Sequence, residues 1–465
     1  MPEGVHPELW PDGRLRHVPL YRPARERLGW KCEPIIVRQG ANAPVTWNNS
    51  DEEQSMKTPI PDYLDEVLDS LRNDTSGNTA QYIPELAQAN PDLFALSVTT
   101  ATGSTYSAGD HLEEFTIQSI SKPFAYAAAI MDRGLDRVLR SVGVEASGEA
   151  FNELSLEEGT HRPKNPMINA GAIMTHGLLV AEDASTEDRV ARVLELFSQL
   201  AGRELRIDES VYASEMETAD RNLATAHMLR SYGILGTDAH EVVSGYTRQC
   251  SILVTVEDLS LMSATLANGG VQPRTRERVL SEGIAQQVMS VMAVAGMYDG
   301  AGDWLTRVGI PAKSGVAGGL VGVLPDQVGI GAFSPRLDAH GNSQRAGRAF
   351  ERLSTDMGLH LFAPSSGQLD VVDVHQEAAR EIFVLQGNVQ FTAASELLDL
   401  MAASTSRTAV LVDISRVYSF TTVARRMALE GLRRLRLDGR RVFLNDPLQV
   451  LANPDLGDGT YPETP

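Results

Sequence analysis

Apolar residues recur at three- and four-residue intervals in four segments of this chain: DYLDEVLDSL (62–71), the stretch after Ser119 that ends at Gly134, DRVARVLELFSQLAG (188–202) and VEDLSLMSATLANGG (256–270). That spacing marks amphipathic helices, and the last segment closes on glycines suited to a helix C-cap. LFALSVTT (93–100) and the run Val316–Val323 are rich in β-branched and small residues and predict strands. Residues 59–362 therefore read as an α+β domain, a sheet with flanking helices plus a helical subdomain, with any site expected between them. Near Ala363 the pattern changes. A small-residue linker at 363–370, carrying APSSGQ, leads into EIFVLQG, TAASELLDLMAAS, TAVLVDIS, TVARRMALEGLRRLRLDG and RRVFL. These alternate strand, helix, strand, helix, strand, so residues 371–465 are expected to form a small α/β domain. Residues 1–58 are rich in proline, arginine and tryptophan, show no clear period, and stand as an N-terminal extension with no assignable chemistry. Met56 also heads a plausible shorter product.

Composition narrows the classes. With 465 residues, 42% of them hydrophobic and 22% charged, the chain can bury cores in two domains. A net charge of -20 argues against nucleic acid or an anionic membrane surface as partner. No stretch reaches 18 uninterrupted apolar residues and the N-terminus lacks an apolar h-region, so a cytoplasmic protein is expected, with no membrane partner. Two cysteines, Cys32 and Cys250, provide no disulfide framework, and the ten histidines show no metal-binding spacing, so no metal and no cofactor are implied.

Candidate chemistry begins at FTIQSISKPFAYAAAI (115–130), where Ser119 stands three residues before Lys122 at the apparent start of an apolar helix. Residues i and i+3 share a helix face, which brings hydroxyl and amine within reach, as nucleophile activation requires. A lysine with an ordinary pKa of ~10.4 must fall by roughly three units to act as base at neutral pH, and burial against Phe124, Ala125 and Ala128 is one way to achieve it. The competing reading is a serine N-cap followed by a solvated lysine. Residues 309–323, GIPAKSGVAGGLVGV, add a K-S-G triplet in a glycine-rich run that suggests a strand edge. S-x-x-K followed by K-T/S-G is the pairing found in serine β-lactamases and penicillin-binding proteins.

At this point the chain resembles the serine-dependent glutaminases. The matching segments include GNTAQYIPELAQANPDLFALSV (77–98), QSISKPF (118–124), RPKNPMINAGAI (162–173), SEMETADRNLATA (214–226), YTRQCSI (246–252), GMYDGAGDW (296–304) and GIPAKSGVAGG (309–319). The resemblance implies a β-lactamase/penicillin-binding-like fold, with Ser119 as nucleophile, Lys122 as its activating partner and Tyr298 as a proton shuttle. It implies an oxyanion hole from the backbone amides of Ser119 and Val316. Asn169, Glu215, Asn222 and Tyr246 would hold the amino-acid end of L-glutamine, with Tyr82 and Gln118 lining the same pocket. The residue types suit that substrate: Glu215 can meet an ammonium, and the asparagines and tyrosines can donate to a carboxylate without placing a cation beside Lys122. Glu215 and Asn222 stand seven apart, two turns if one helix carries both.

The C-terminal segment resembles a STAS-like domain, with VDIS (412–415) and RVYSFTTVA (416–424) at the strand and helix start. It departs from that pattern where D-S-x-G would stand, since Phe420, Thr421, Thr422 and Val423 occupy those places. Its expected role is regulatory or assembly-related, with a regulatory ligand or protein as possible partner, and the glutaminase resemblance implies a homo-oligomer, tetramer or dimer. Two other readings stay open: a regulatory protein that senses glutamine without turning it over, and a β-lactam or ester hydrolase.

Overall fold

A computed structural model of the chain describes residues 59–149, 153–363, 373–377, 380–404 and 408–465. The N-terminal extension with Cys32 and Met56, and most of the linker at 363–370, lie outside the described residues. The half of the structure N-terminal to the linker is built on a five-stranded antiparallel sheet. Its strands run in the order Thr105–Gly109, Ala95–Thr100, Val328–Phe333, Gly319–Leu324 and Ala312–Ser314. Ala95–Thr100 alternates strictly: Leu96 and Val98 point into one core, while Ser97 and Thr99 meet Ser260 on the other face at 2.9 and 2.7 Å.

That second face carries the helix Val256–Ala267, which lies unusually close to the strands. A Cβ on Gly329 would meet the Ala264 backbone nitrogen at 2.1 Å, and one on Gly331 the Val256 carbonyl oxygen at 2.3 Å. Only glycine lets the helix backbone rest on the sheet here. Beyond this helix the elements Ser121–Arg133, Asn169–Gly177, Thr186–Ala201, Ala239–Cys250 and Glu282–Ala295 pack around the first apolar core, as the helical subdomain. The expected helices are all present, at Ile60–Leu71, Ser121–Arg133, Thr186–Ala201 and Val256–Ala267, because each buries one apolar stripe.

C-terminal to the linker, a four-stranded sheet runs in the order Arg441–Asn445, Ala409–Phe420, Arg380–Val389, Asp373–Glu377. The first three strands are parallel, and the crossover helices Phe391–Ala402 and Thr422–Leu437 pack on one another, where a Cβ on Gly431 would meet Met401 Sδ at 2.5 Å. Same-handed crossovers in a sheet whose strand order runs one way put both helices on one face. The strand Asp373–Glu377, which the alternation did not predict, adds as an antiparallel edge. This module shares its core with the half N-terminal to the linker: Phe391, Leu397 and Leu432 belong to the same apolar cluster as Tyr63, Leu68 and Phe350. Tyr106 meets the Phe391 ring edge-on at 6.5 Å, and Arg426 forks onto both Glu66 oxygens at 2.9 and 2.7 Å. The described residues accordingly form one compact unit.

Candidate active site

Ser119 sits in a single 3-10 turn, Gln118–Ile120, that runs directly into the helix Ser121–Arg133. The turn lies where the sheet meets the helical subdomain, and Ser119 is buried there. Gln118, just before it, is held at φ 49, and Tyr298 at φ 57, both in the left-handed region that ordinary side chains avoid. Such strain persists only where packing on all sides enforces it. The K-S-G strand Ala312–Ser314 forms the sheet edge beside this turn, as its composition predicted. A Cβ on Gly315 would stand 3.0 Å from the Ile117 carbonyl oxygen, so glycine lets this edge come up against the serine turn.

Lys122 is one of the most deeply buried charged residues, and its Nζ donates to Asn169 Oδ1 at 2.7 Å. Asn169 in turn donates through Nδ2 to Asn222 Oδ1 at 3.1 Å. Burial pushes the Lys122 amine down to about 7. On the other side of the serine, Tyr298 hydrogen-bonds with the Ser119 side chain, and burial raises its phenol well above the ordinary range. Lys313 Nζ donates to the Tyr298 hydroxyl at 2.5 Å and to the Ser314 carbonyl at 2.7 Å. The two amines stand 5.8 Å (Lys122) and 3.8 Å (Lys313) from the centre of the Tyr298 ring. Two buried amines this close disfavour each other's charge, and Lys313 is depressed by burial and by Lys122. Lys313 was noticed only as part of the K-S-G triplet; its burial is the signal that sets it in the site.

Ser119 opens onto a cavity of about 320 Å³. Tyr82, Gln118, Asn169, Glu215, Asn222, Tyr246 and Val316 all line it, so the structure gathers every expected substrate-binding position around one serine. Lys122 and Tyr298 lie just behind the lining. Tyr82 Oη and Gln118 Nε2 both donate to Glu215 Oε1, at 2.7 and 3.1 Å. Burial raises the Glu215 carboxyl, and these two bonds partly offset it. Thr218, Ala219, Arg221, Thr247 and Cys250 also line the cavity and were not singled out. Glu215 and Asn222 do not share a helix as their spacing allowed. Glu215 lies in the last turn of the helix Glu209–Glu217 and Asn222 in the first turn of Asp220–Ser231. The Thr218 hydroxyl donates to the Ser214 and Glu215 carbonyls at the break. A larger cavity, about 580 Å³, lies behind Tyr298, but its charges are already paired, as Arg307 with Asp303 and Glu351, and His340 with Asp299.

Beneath the cavity runs a buried polar chain. His176 Nδ1 meets Gln249 Oε1 at 3.0 Å, Gln249 Nε2 donates to Ser121 Oγ at 3.0 Å, and Ser121 Oγ lies 4.0 Å from Cys250 Sγ. Burial lowers His176 to about 4 and lifts the Cys250 thiol to about 11, so both are neutral at pH 7. The unfolded chain takes up the His176 proton near pH 6.5, the folded chain only near 4. Stability from this group is therefore complete above about pH 6.5 and is lost as pH falls through that window, by about 3 kcal/mol. Denaturant unfolding at pH 7 and pH 4.5 of the native chain and of His176→Asn should show the variant losing much less stability on acidification. Equal losses would mean that His176 carries none of the acid sensitivity.

The comparisons with known proteins bear directly on this site. A family model described as Glutaminase matches residues 77–362, a span that includes every residue of the cavity wall and both lysines. This chain belongs to the glutaminase family. It is similar to the glutaminase of Corynebacterium efficiens, 51% identical over 404 residues, covering 86% of this chain and 96% of that one. The glutaminase of Corynebacterium glutamicum is also 51% identical, over 405 residues, 86% of this chain and 98% of its own. Among solved structures, a crystal structure of Mglu superposes with a TM-score of 0.66 at 51% identity, covering 85% of this chain and all of that one. Mglu has also been crystallised in its glutamate form, where the identity is 47%. This glutaminase thus has the α+β fold of its relatives. No described helix is long and apolar enough to cross a membrane.

Proposed function

We propose that this glutaminase releases ammonia from the side-chain amide of L-glutamine in two acyl transfers, with Ser119 as nucleophile and Lys122 as its base. The observation that carries the reading is a fully buried Lys122, lowered to about 7, one helical turn from a serine that opens onto the cavity. Ser119 Oγ attacks the amide carbon and its proton passes to Lys122. The backbone N–H groups of Ser119 and Val316 are assigned to the developing oxyanion. Ammonia leaves when the amide nitrogen takes a proton from Tyr298, whose raised phenol stays protonated at neutral pH, and the proton that Lys122 took from Ser119 passes on to Tyr298, so that Lys122 is neutral again. Water, deprotonated by Lys122, then attacks the ester, and that proton returns to Ser119 Oγ as L-glutamate leaves. Glu215 holds the substrate ammonium, while Asn169, Asn222 and Tyr246 hold its carboxylate end, with Tyr82 and Gln118 orienting Glu215. The glutamate-bound crystals of Mglu support an amino-acid ligand of this kind.

Because neutral Lys122 is the active form, kcat/KM should fall about ten-fold per unit as pH drops below 7. Ammonia release assayed from pH 5 to 9 checks this, and a profile flat down to pH 5 would remove Lys122 from the role of base. For the remainder of the chain we take residues 59–362 as the catalytic domain and 371–465 as a STAS-like module that regulates or assembles it. In this reading the enzyme is a cytoplasmic homo-oligomer, dimer or tetramer. Support for the module comes from its parallel strand–helix alternation and the core it shares with the catalytic half.

A further inference from the structure

We propose that Glu85 is a positioning residue for recognition of the substrate's α-ammonium, acting as a second carboxylate that docks the Tyr82 segment on the Glu215 helix and adds negative potential there. The inference rests on the assignment of Glu215 to the ammonium. Glu85 lies in the short helix Pro84–Ala87, outside the cavity wall. Its Oε1 accepts hydrogen bonds from Ser210 Oγ at 2.7 Å and Ser214 Oγ at 2.9 Å, both on the helix Glu209–Glu217. Three residues earlier, Tyr82 donates to Glu215, the residue that follows Ser214. Three side-chain bonds thus stitch residues 82–85 to this helix: Ser210 and Ser214, one turn apart, share a face, and Glu215 stands beside them. The Ser210 and Ser214 hydroxyls and its own backbone N–H hold the Glu85 carboxyl below the usual carboxylate range, so it carries its charge at neutral pH. Ile83 and Leu86, on either side, are buried in the first core and prevent the segment from swinging away.

The electrostatic part follows from the groups around Glu215. Tyr82, Tyr246 and Cys250 face it in their neutral forms, Gln118 is uncharged, and Arg221 lines the same cavity but pairs with Glu153 at 2.8 Å. Glu85 is the neighbouring anion, and its charge raises Glu215 further. Both protein bonds to Glu215 end on Oε1, which leaves Oε2 for a ligand. A pair of carboxylates attracts a cationic amine more strongly than one alone and makes its binding more sensitive to acid.

The test uses the full-length enzyme with Glu85→Gln, Glu85→Ala and Glu215→Gln, measuring kcat, KM for L-glutamine and the pH dependence of KM. Glu85→Gln can still accept from both serines and keeps the fold, so it isolates the charge. It should raise KM several-fold, on the order of the ~10-fold that one modest electrostatic contact carries, with little change in kcat, and should move the acidic rise of KM to lower pH. Glu85→Ala should raise KM further. A merely structural role would lower the melting temperature without moving that limb. If Glu215→Gln raises KM but Glu85→Gln leaves both KM and the limb unmoved, the inference falls and the ammonium assignment stands. If Glu215→Gln leaves KM unchanged, the assignment itself fails and the inference with it.

Discussion

Ser119→Ala is expected to lower kcat for glutamine by at least about 10⁴-fold, because no other hydroxyl or thiol can replace the attacking oxygen. Cys250 lines the same cavity, but its thiol is buried and raised to about 11, so it supplies almost no thiolate at pH 7. The variant should fold normally. Removing one hydroxyl leaves Tyr298 still bonded to Lys313, and the strained turn at Gln118 is enforced by backbone packing around it rather than by the serine side chain. Ammonia and glutamate release from purified native and variant protein decides the point, together with a thermal melt and glutamate binding by calorimetry. Retained glutamate binding with lost turnover is the expected pattern. Residual turnover above a hundredth of the native rate would refute a serine acyl-enzyme here.

The second large effect is expected at Lys122→Met. Activity should fall about 10²- to 10⁴-fold, the usual span for removal of a positioned general base. Stability should rise at the same time. In the native chain the amine is buried and lowered to about 7, so folding at neutral pH costs the free energy of neutralising it, which methionine of similar length does not require. Loss of the bond to Asn169 offsets part of the gain, which leaves a net increase on the order of 2 kcal/mol. Denaturant unfolding beside steady-state kinetics would show both changes. A variant less stable than the native enzyme would mean that Lys122 is held mainly as a structural hydrogen-bond donor. Opposite signs for stability and activity are the expected signature of a site whose strain serves chemistry.

The parts of this molecule that could be anticipated are those that depend on neighbours in the chain. Helices came from three- and four-residue spacing, the placing of Ser119 and Lys122 about one turn apart from their i, i+3 spacing, and the sheet edge at K-S-G from its small-residue composition. Cys250 could have been found by the same rule, since it stands four residues after Tyr246 on the helix Ala239–Cys250 and shares its face. Thr218 could not. The pattern through 214–226 reads equally well as one helix, and the break at Thr218 and Ala219 that places Glu215 and Asn222 on separate elements is visible only in the folded chain. Glu85 carried no signal at all: a glutamate in the first turn of a short helix is ordinary until its partners are known.

Local order and the kind of chemistry were set along the chain, because propensity, amphipathic periodicity and one-turn spacings act over a few residues and do not need a fold to operate. Which distant groups meet was settled by the packing of faces. Tyr82 reaches Glu215 across 133 positions, and Lys122 finds Asn169 across 47. The core joining Phe350 to Phe391 passes over a change of composition that suggested two separate bodies. None of these contacts is encoded by spacing. They arise because apolar stripes bury against one another, and the polar groups carried along must pair, shift their pKa or bind a ligand in whatever surroundings that burial creates.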